Sequence, residues 1–256
     1  MTENVTTTGA GGVQSVERAF DLLEVIAASG GEAMLSELAT ATGLALPTIH
    51  RLLRTLVATG YVRQLANRRY VLGPGLIRLG EGASRQLGAL ARTHLATLVQ
   101  QLGETANMAV LDGDRVLYAA QVPSRHSMRM FTEVGRRAHL HDTGVGKAIL
   151  AQLTDAAVRS LVTAAGMPAA TTMSITTPDA LLQDLGLIRS RGYAIDDNEQ
   201  EIGVRCFAMS VPNAPTPTAI SVSGPVSRVD EAFGTRAVPL LRAAAEAISH
   251  DLNRAP

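Results

Sequence analysis

Two sets of residues in this 256-residue chain have the types and spacing to do chemistry. The first is arginine-rich. From Leu38 through Gly80 there is no aspartate or glutamate, while Arg51, Arg54, Arg63, Arg68, Arg69 and Arg78 all fall inside the stretch. The whole chain carries 23 basic and 23 acidic side chains, so the local excess does not come from overall composition. A polyanion such as DNA binds patches of this kind. Thr48, His50, Arg51, Arg54 and Thr55 lie off the apolar stripe of one predicted helix, a face that can enter a major groove and reach base edges. Arg68 and Arg69 sit at a short turn, placed to meet phosphate or the minor groove. The competing reading of this set is a solvated arginine face on a helical protein–protein module.

The second set lies in the other half of the chain. Gly144-Val145-Gly146 opens a predicted helix, where free amides and the helix dipole suit a carboxylate. A phosphate-binding loop is rejected there, because His141 stands where that loop needs glycine and Ala148 follows Lys147 in place of Ser or Thr. Ser221 and Ser223 are two apart on a predicted strand and so share a face. Hydroxyls on an apolar strand are costly to bury without hydrogen bonds; a polar ligand would supply them, as would neighbouring backbone. Cys206, the only cysteine, excludes an intrachain disulfide and reads as a small core residue or a pocket wall. An enzyme built on Cys206, or on the His139/His141 pair, is the rival class, yet nothing in the sequence pairs the thiol with a base. His139 and His141, without cysteines or clustered carboxylates nearby, make a poor zinc set. No metal, cofactor or catalytic residue is expected.

The elements that must position these groups follow from hydrophobic periodicity. A helix is predicted over 15–28, N-capped by Ser15, with Val16, Ala19, Phe20, Leu23, Ile26 and Ala27 inward. A short helix over 35–42 stops at Gly43, and a helix over 47–59 begins with Pro47 and buries Ile49, Leu52, Leu53, Leu56 and Val57. The link from Gly43 to Leu46 makes the pair a helix-turn-helix. Strands over 61–65 and 69–72 form a hairpin wing. Gly73-Pro74-Gly75 is the predicted domain break, with a connecting helix from Leu76. Beyond it, strands are predicted over 108–111, 116–122, 207–211 and 219–223, and helices over 144–153, 178–191 and 238–252. No apolar run approaches a membrane span and the polar start lacks a signal peptide's pattern, so a cytoplasmic protein is expected.

Several runs together resemble the IclR family of bacterial transcription regulators. In the first half they are Ser15 to Leu23 (SVERAFDLL), Leu35 to Ala39 (LSELA), Arg51 to Leu56 (RLLRTL), Gly60 to Val62 and Tyr70 to Gly73. In the second they are His141 to Ala148 (HDTGVGKA), Arg191 to Asp197 (RGYAIDD), Gly203 to Cys206 and Ala219 to Pro225. The resemblance implies an α+β protein: a disordered tail over 1–12, a winged helix-turn-helix over 13–75, a linker helix over 76–89, and a GAF-like effector-binding domain with an antiparallel sheet over 90–254. It implies a homodimer or homotetramer on a palindromic operator. It also implies a small carboxylate effector, glyoxylate or pyruvate, bound by the amides of Gly144 and Val145. Asp196, Cys206, Ser221 and Ser223 would complete the polar shell, with Met130, Ala138 and Val204 as apolar walls. The expected function is repression of a carbon or nitrogen catabolic operon of the glyoxylate or allantoin type. The alternative is activation of an operon for another organic or aromatic acid. Two departures stand out. Pro47 replaces the family's usual hydroxyl residue, leaving Thr48 for that phosphate contact, and Ala138 and Val204 are smaller than the leucines of glyoxylate-binding members.

Overall fold

The computed structural model describes residues 12–130 and 132–254, with the side chains of all but 84–89. The tail expected over 1–12 thus lies, apart from Gly12, outside the described residues. The chain forms two compact units that part after Gly82.

The first unit contains α1 (Gln14–Ala28), β1 (Glu32–Ala33), α2 (Leu35–Thr42), α3 (Leu46–Ala58), β2 (Val62–Gln64) and β3 (Tyr70–Leu72). The strands form an antiparallel sheet in the order β1-β3-β2. Leu22 and Ile26 of α1, Leu38 of α2, and Ile49, Leu53 and Leu56 of α3 close one core with Val62 and Tyr70 of the wing. α2 ends because Gly43 takes the left-handed conformation at φ 66°, which costs glycine little and turns the chain sharply into α3. The Glu37 carboxylate accepts from the Met34 amide at 2.6 Å, occupying one of the donors at the start of α2.

Three expectations need correction here. Val13, not Ser15, occupies the N-cap of α1, and no side chain caps that end. Val16 and Phe20 point outward, 51% and 62% exposed; α1 turns the expected Ile26 and the unexpected Leu22 to the core, because α2 and α3 pack on that side. The Gly73-Pro74-Gly75 segment, read as the domain break, lies inside the first unit, which ends later, at Gly82. A Cβ on Gly73 would sit 2.2 Å from the Gly60 carbonyl oxygen, and the Gly75 amide donates to that same oxygen at 3.1 Å. These glycines allow the wing's end to lie against the end of α3.

The second unit begins within α4 (Gly75–Leu102) and continues through β4 (Thr105–Asp112), β5 (Arg115–Val122), β6 (Arg137–Ala138), α5 (Gly144–Leu150), α6 (Asp155–Ala165), α7 (Pro178–Arg191), β7 (Ala194–Asp197), β8 (Val204–Val211), β9 (Thr218–Pro225) and α8 (Glu231–Arg254). Its six strands form one antiparallel sheet in the order β6-β5-β4-β9-β8-β7. Side chains alternate across it. Met108, Phe207, Met209, Ile220 and Val222 meet α4 and α8 on one face. Ala109, Val116, Tyr118, Cys206, Ala208 and Ala219 meet α5, α6 and α7 on the other.

The sequence reading missed β1, β6, β7 and α6, and it began α8 at Val238. The helix starts seven residues earlier, at Glu231, and carries Pro239 inside it. A proline reads locally as a helix start, because its missing amide is harmless only in the first turn. Among the described residues no helix is long and apolar enough to cross a membrane.

Candidate functional site

On the first unit the arginine face is built by α3 and the wing. Pro47 stands in the helix's first turn, and the buried stripe of Ile49, Leu53 and Leu56 fixes which side faces out. His50, Arg51, Arg54 and Thr55 are exposed and Thr48 is half-buried. Pro47, His50, Arg51, Arg54, Val57, Gln64 and Tyr70 line an open groove of about 530 Å³ without a single carboxylate. Among the described residues neither the Arg51 nor the Arg54 guanidinium has an ion-pair partner. A pair of free cations spaced one helical turn apart, beside a groove, is the arrangement a phosphate backbone needs.

The wing's two arginines separate. Arg68 is exposed at the turn with φ 64°, a left-handed backbone that its Cβ disfavours. Arg69 is instead held inside the unit, 3.0 Å from a Glu32 carboxylate oxygen and 3.2 Å from Glu37. Those carboxylates lie outside the acid-free stretch in sequence but fold back against it. Arg68→Ala should therefore flatten the salt dependence of DNA binding by ~1 log unit per log unit of salt. Arg69→Ala should leave that slope alone and lower the unfolding temperature; the two slopes, measured over one salt series, check the division.

On the second unit the polar groups gather on the α5 face of the sheet. The strand register sets Asp196, Cys206, Ser223 and Thr105 in one row across β7, β8, β9 and β4. The next row runs Ala208, Ser221, Asn107 and Gln121 across β8, β9, β4 and β5. Val204 lies on the same face of β8 as Cys206. α5 covers these rows closely: a Cβ on Gly144 would sit 2.9 Å from the Cys206 sulfur, so only glycine lets the helix approach. Thr143 caps α5 by accepting from the Gly146 amide at 3.1 Å. Among the described residues the buried amides of Gly144 and Val145 have no acceptor, and the buried Oδ1 of Asp142 has no donor. Buried donors without partners are rare, and here two adjacent ones stand over the serine rows. Ala138 is buried on β6, while half-buried Met130 enters through its backbone, its carbonyl accepting from Thr105 at 2.9 Å.

The electrostatics of this site come from burial. Asp196 is 3% exposed. Burial pushes its carboxyl up to about 7 and the Glu199 charge adds to this, while hydrogen bonds from the Glu199 and Gln200 amides work the other way. As an acceptor for a ligand Asp196 thus belongs to higher pH; below about 7 it keeps a proton and can donate. Burial pushes the Cys206 thiol up to about 12, with the Asp196 charge adding to the shift. A thiolate nucleophile is not available from such a group. Burial raises Tyr118 above the usual phenol range, the charges of Cys206 and Asp196 contributing next, and its side chain belongs to the same buried cluster as Cys206.

Sequence reasoning missed Tyr118, Asn107 and Gln121 on this face, and the role of Lys147 behind it. Asn107 had a signal: one amide inside the apolar run Ala106-Asn107-Met108-Ala109. Lys147 had another, being the only lysine and sitting in the apolar turn Val145 to Leu150. It is 1% exposed, and its Nζ donates to Asp184 at 2.9 Å and to Glu199 at 2.5 Å. Among the described residues no group of three or more histidine, cysteine, aspartate or glutamate side chains is arranged to hold a metal ion.

Residues 15–66 match the IclR helix-turn-helix domain, and residues 83–250 match the bacterial transcriptional regulator IclR C-terminal domain. The chain is 39% identical over 233 residues to the transcriptional repressor IclR of Escherichia coli, covering 88% of this chain and 85% of that protein. It is 38% identical over 228 residues to the acetate operon repressor of Salmonella typhimurium, covering 86% and 83%. A crystal structure of an IclR-type regulator from Silicibacter sp. superposes with a TM-score of 0.85 at 27% identity, covering 94% of this chain and 97% of that one. The free arginine face on a helix-turn-helix unit, the sheet-and-helix unit that follows it, and these matches along nearly the whole chain agree: the protein belongs to the IclR family of bacterial transcriptional regulators.

Proposed function

We propose that the protein is a cytoplasmic repressor whose first unit grips a palindromic operator and whose second binds a small 2-oxo acid. The observation that carries the DNA half is the acid-free groove with Arg51 and Arg54 unpaired beside it. Thr48, His50 and Thr55 complete the base-reading face, and Arg68 adds a phosphate contact from the wing. The exposed apolar side chains Val13, Val16 and Phe20 along α1, with Ile77 and Leu79 nearer the end of this unit, favour a homodimer, which a two-fold operator requires.

For the effector, the carboxylate would lie on the Gly144 and Val145 amides, with the oxo oxygen towards Ser221 and Ser223. Asp196 and Cys206 stand beside it, with Ala138, Val204 and Met130 as apolar walls. The unpartnered amides support this placement. Glyoxylate and pyruvate fit the class, and the likeness to an acetate operon repressor favours a two- or three-carbon acid pathway. Effector binding must favour the weak-binding DNA state for repression to be relieved.

Arg51→Ala and Arg54→Ala test this reading together. Each should weaken operator binding by ~1–3 kcal/mol if it reads a base, with relaxed sequence preference at one position. Adding pyruvate to the unmodified protein should release the operator. Unchanged operator affinity in both variants at one fixed salt concentration would remove the DNA assignment.

A further inference from the structure

We propose that Gln121, acting through Asn107, fixes the Ser223 hydroxyl as a hydrogen-bond donor and so makes the effector site select 2-oxo acids over the matching 2-hydroxy acids. This rests on the effector reading above and adds a positioning residue to it.

The geometry is a directed chain across three strands. The Gln121 amide nitrogen donates to Asn107 Oδ1 at 3.0 Å, and the Asn107 amide nitrogen donates to Ser223 Oγ at 3.3 Å. Asn107 is 2% exposed and Ser223 5%, so neither can exchange these partners for bulk water. An amide offers a donor on one side and an acceptor on the other, whereas a hydroxyl has a single proton. With Asn107 donating to its oxygen, the Ser223 proton is left to point at the effector. A 2-oxo acid presents a carbonyl lone pair there. A 2-hydroxy acid brings its own proton into the same contact, where it competes with the Ser223 proton and is left with the second lone pair of Ser223 Oγ, already polarised by Asn107, or the carbonyl oxygen of the protonated Asp196. Leaving a buried donor unmatched costs more than a good match gains.

Gln121 is half-buried at the sheet's margin, so its chemistry can be changed without opening the site. Glutamate at this position has no proton to give. Asn107 must then turn its amide nitrogen toward residue 121 and its oxygen toward Ser223, which takes the serine's proton and leaves Ser223 able only to accept.

The test is calorimetric titration of pyruvate and lactate into the full-length protein, as wild type, Gln121→Glu and Gln121→Met, at about pH 6.5, where an ordinary glutamate is ionised. Wild type should bind pyruvate at least about tenfold more tightly than lactate, and Gln121→Glu should cut that ratio by about tenfold or invert it. Gln121→Met, which frees Asn107 to turn either way, should fall between. An affinity ratio does not change when part of a sample is unfolded, so a merely structural role for Gln121 would leave it where it was. An unchanged ratio in Gln121→Glu overturns the proposal. A second measurement needs no effector: unfolding of Gln121→Met, Ser223→Ala and the double variant should be non-additive, although their side chains are linked only through Asn107. Additivity overturns the chain itself. If both acids are silent while that coupling persists, the 2-oxo acid reading falls, and the selectivity falls with it.

Discussion

Lys147→Met is expected to destabilise the protein by ~3–5 kcal/mol at about pH 8 and by clearly less at about pH 5. The lysine stem runs through the core of the second unit, and its ammonium lies between Asp184 of α7 and Glu199 on the turn between β7 and β8. Methionine fills nearly the same volume, so packing changes little, but two carboxylates lose their shared cation. Glu199 suffers more. Burial already raises its carboxyl above the ordinary value, the Lys147 charge and hydrogen bond oppose that rise, and its second oxygen has no partner among the described residues. Without the lysine, the folded-state value climbs further above the unfolded one. A carboxylate shifted this way binds more protons folded than unfolded, so stability falls as pH rises through the interval and recovers on acidification. Denaturant titrations at the two pH values check the sign. Equal losses at both would mean the damage is packing rather than charge. Gln at position 199 in the same background should recover part of the loss at about pH 8, because the neutral amide removes the buried charge.

This network also helps to hold α5 against the sheet. α5 is seven residues long and buried throughout, too short to be stable by its own hydrogen bonds. Lys147 ties its middle to α7 through Asp184, and Gly144 lets its first residue rest on Cys206. The turn bearing Glu199 is in turn strapped from behind: the Thr171 hydroxyl donates to the Asn198 carbonyl at 2.7 Å, and the Ser174 hydroxyl donates to the Glu199 carbonyl at 2.6 Å. The backbone around Gly144 and Val145 is thus positioned by charges and hydroxyls distant in sequence, on α7, the segment before it and the turn between β7 and β8.

That distance separates what the sequence made legible from what it did not. The helix-turn-helix was readable because Gly43, Pro47 and the stripe at Ile49, Leu53 and Leu56 are local signals with strong periodicity. The α5 start and the Ser221/Ser223 face were readable for the same reason. Asn107 and Gln121 were not, because their roles depend on β4 lying between β5 and β9, and pairing order leaves no mark on a single strand's alternation. The ion pairs of Arg69 were not legible for a related cause. Charge was counted along the chain, where residues 38–80 lack carboxylates, while Glu32 and Glu37 reach it through the fold. Val16 and Phe20 fit the apolar period of α1 but lie on its exposed side, since periodicity gives the width of a stripe and not which part of it finds a partner.

Asp196→Asn is expected to raise stability by ~2–4 kcal/mol at about pH 8 and to change it little at about pH 4. The Asp196 carboxyl titrates near 7 in the folded protein because it is buried and faces the Glu199 charge; Lys147 behind it opposes this, and Cys206 and Tyr118 beside it are neutral over the same range. Its folded value lies above its unfolded one, so the folded state holds an extra proton between about pH 4 and about 7. Stability therefore falls as pH rises across that window, and above it the protein carries an ionised carboxylate in an apolar setting. Asparagine removes the penalty. Its Oδ1 still accepts from the Glu199 amide, the bond Asp196 makes at 2.9 Å, so the turn keeps its shape. The same substitution should alter effector binding with a distinct signature. In the unmodified protein, affinity for pyruvate should drop about tenfold per pH unit above about 7, as the aspartate loses the proton it donates and begins to repel the ligand's carboxylate. In Asp196→Asn the affinity should be nearly flat over that range. Calorimetry at a series of pH values reads both slopes. A wild-type affinity that instead rises with pH would mean that the ionised aspartate accepts a proton from the bound ligand, as it would from a hydrated aldehyde, and would assign the site to the hydrate rather than to the free oxo acid.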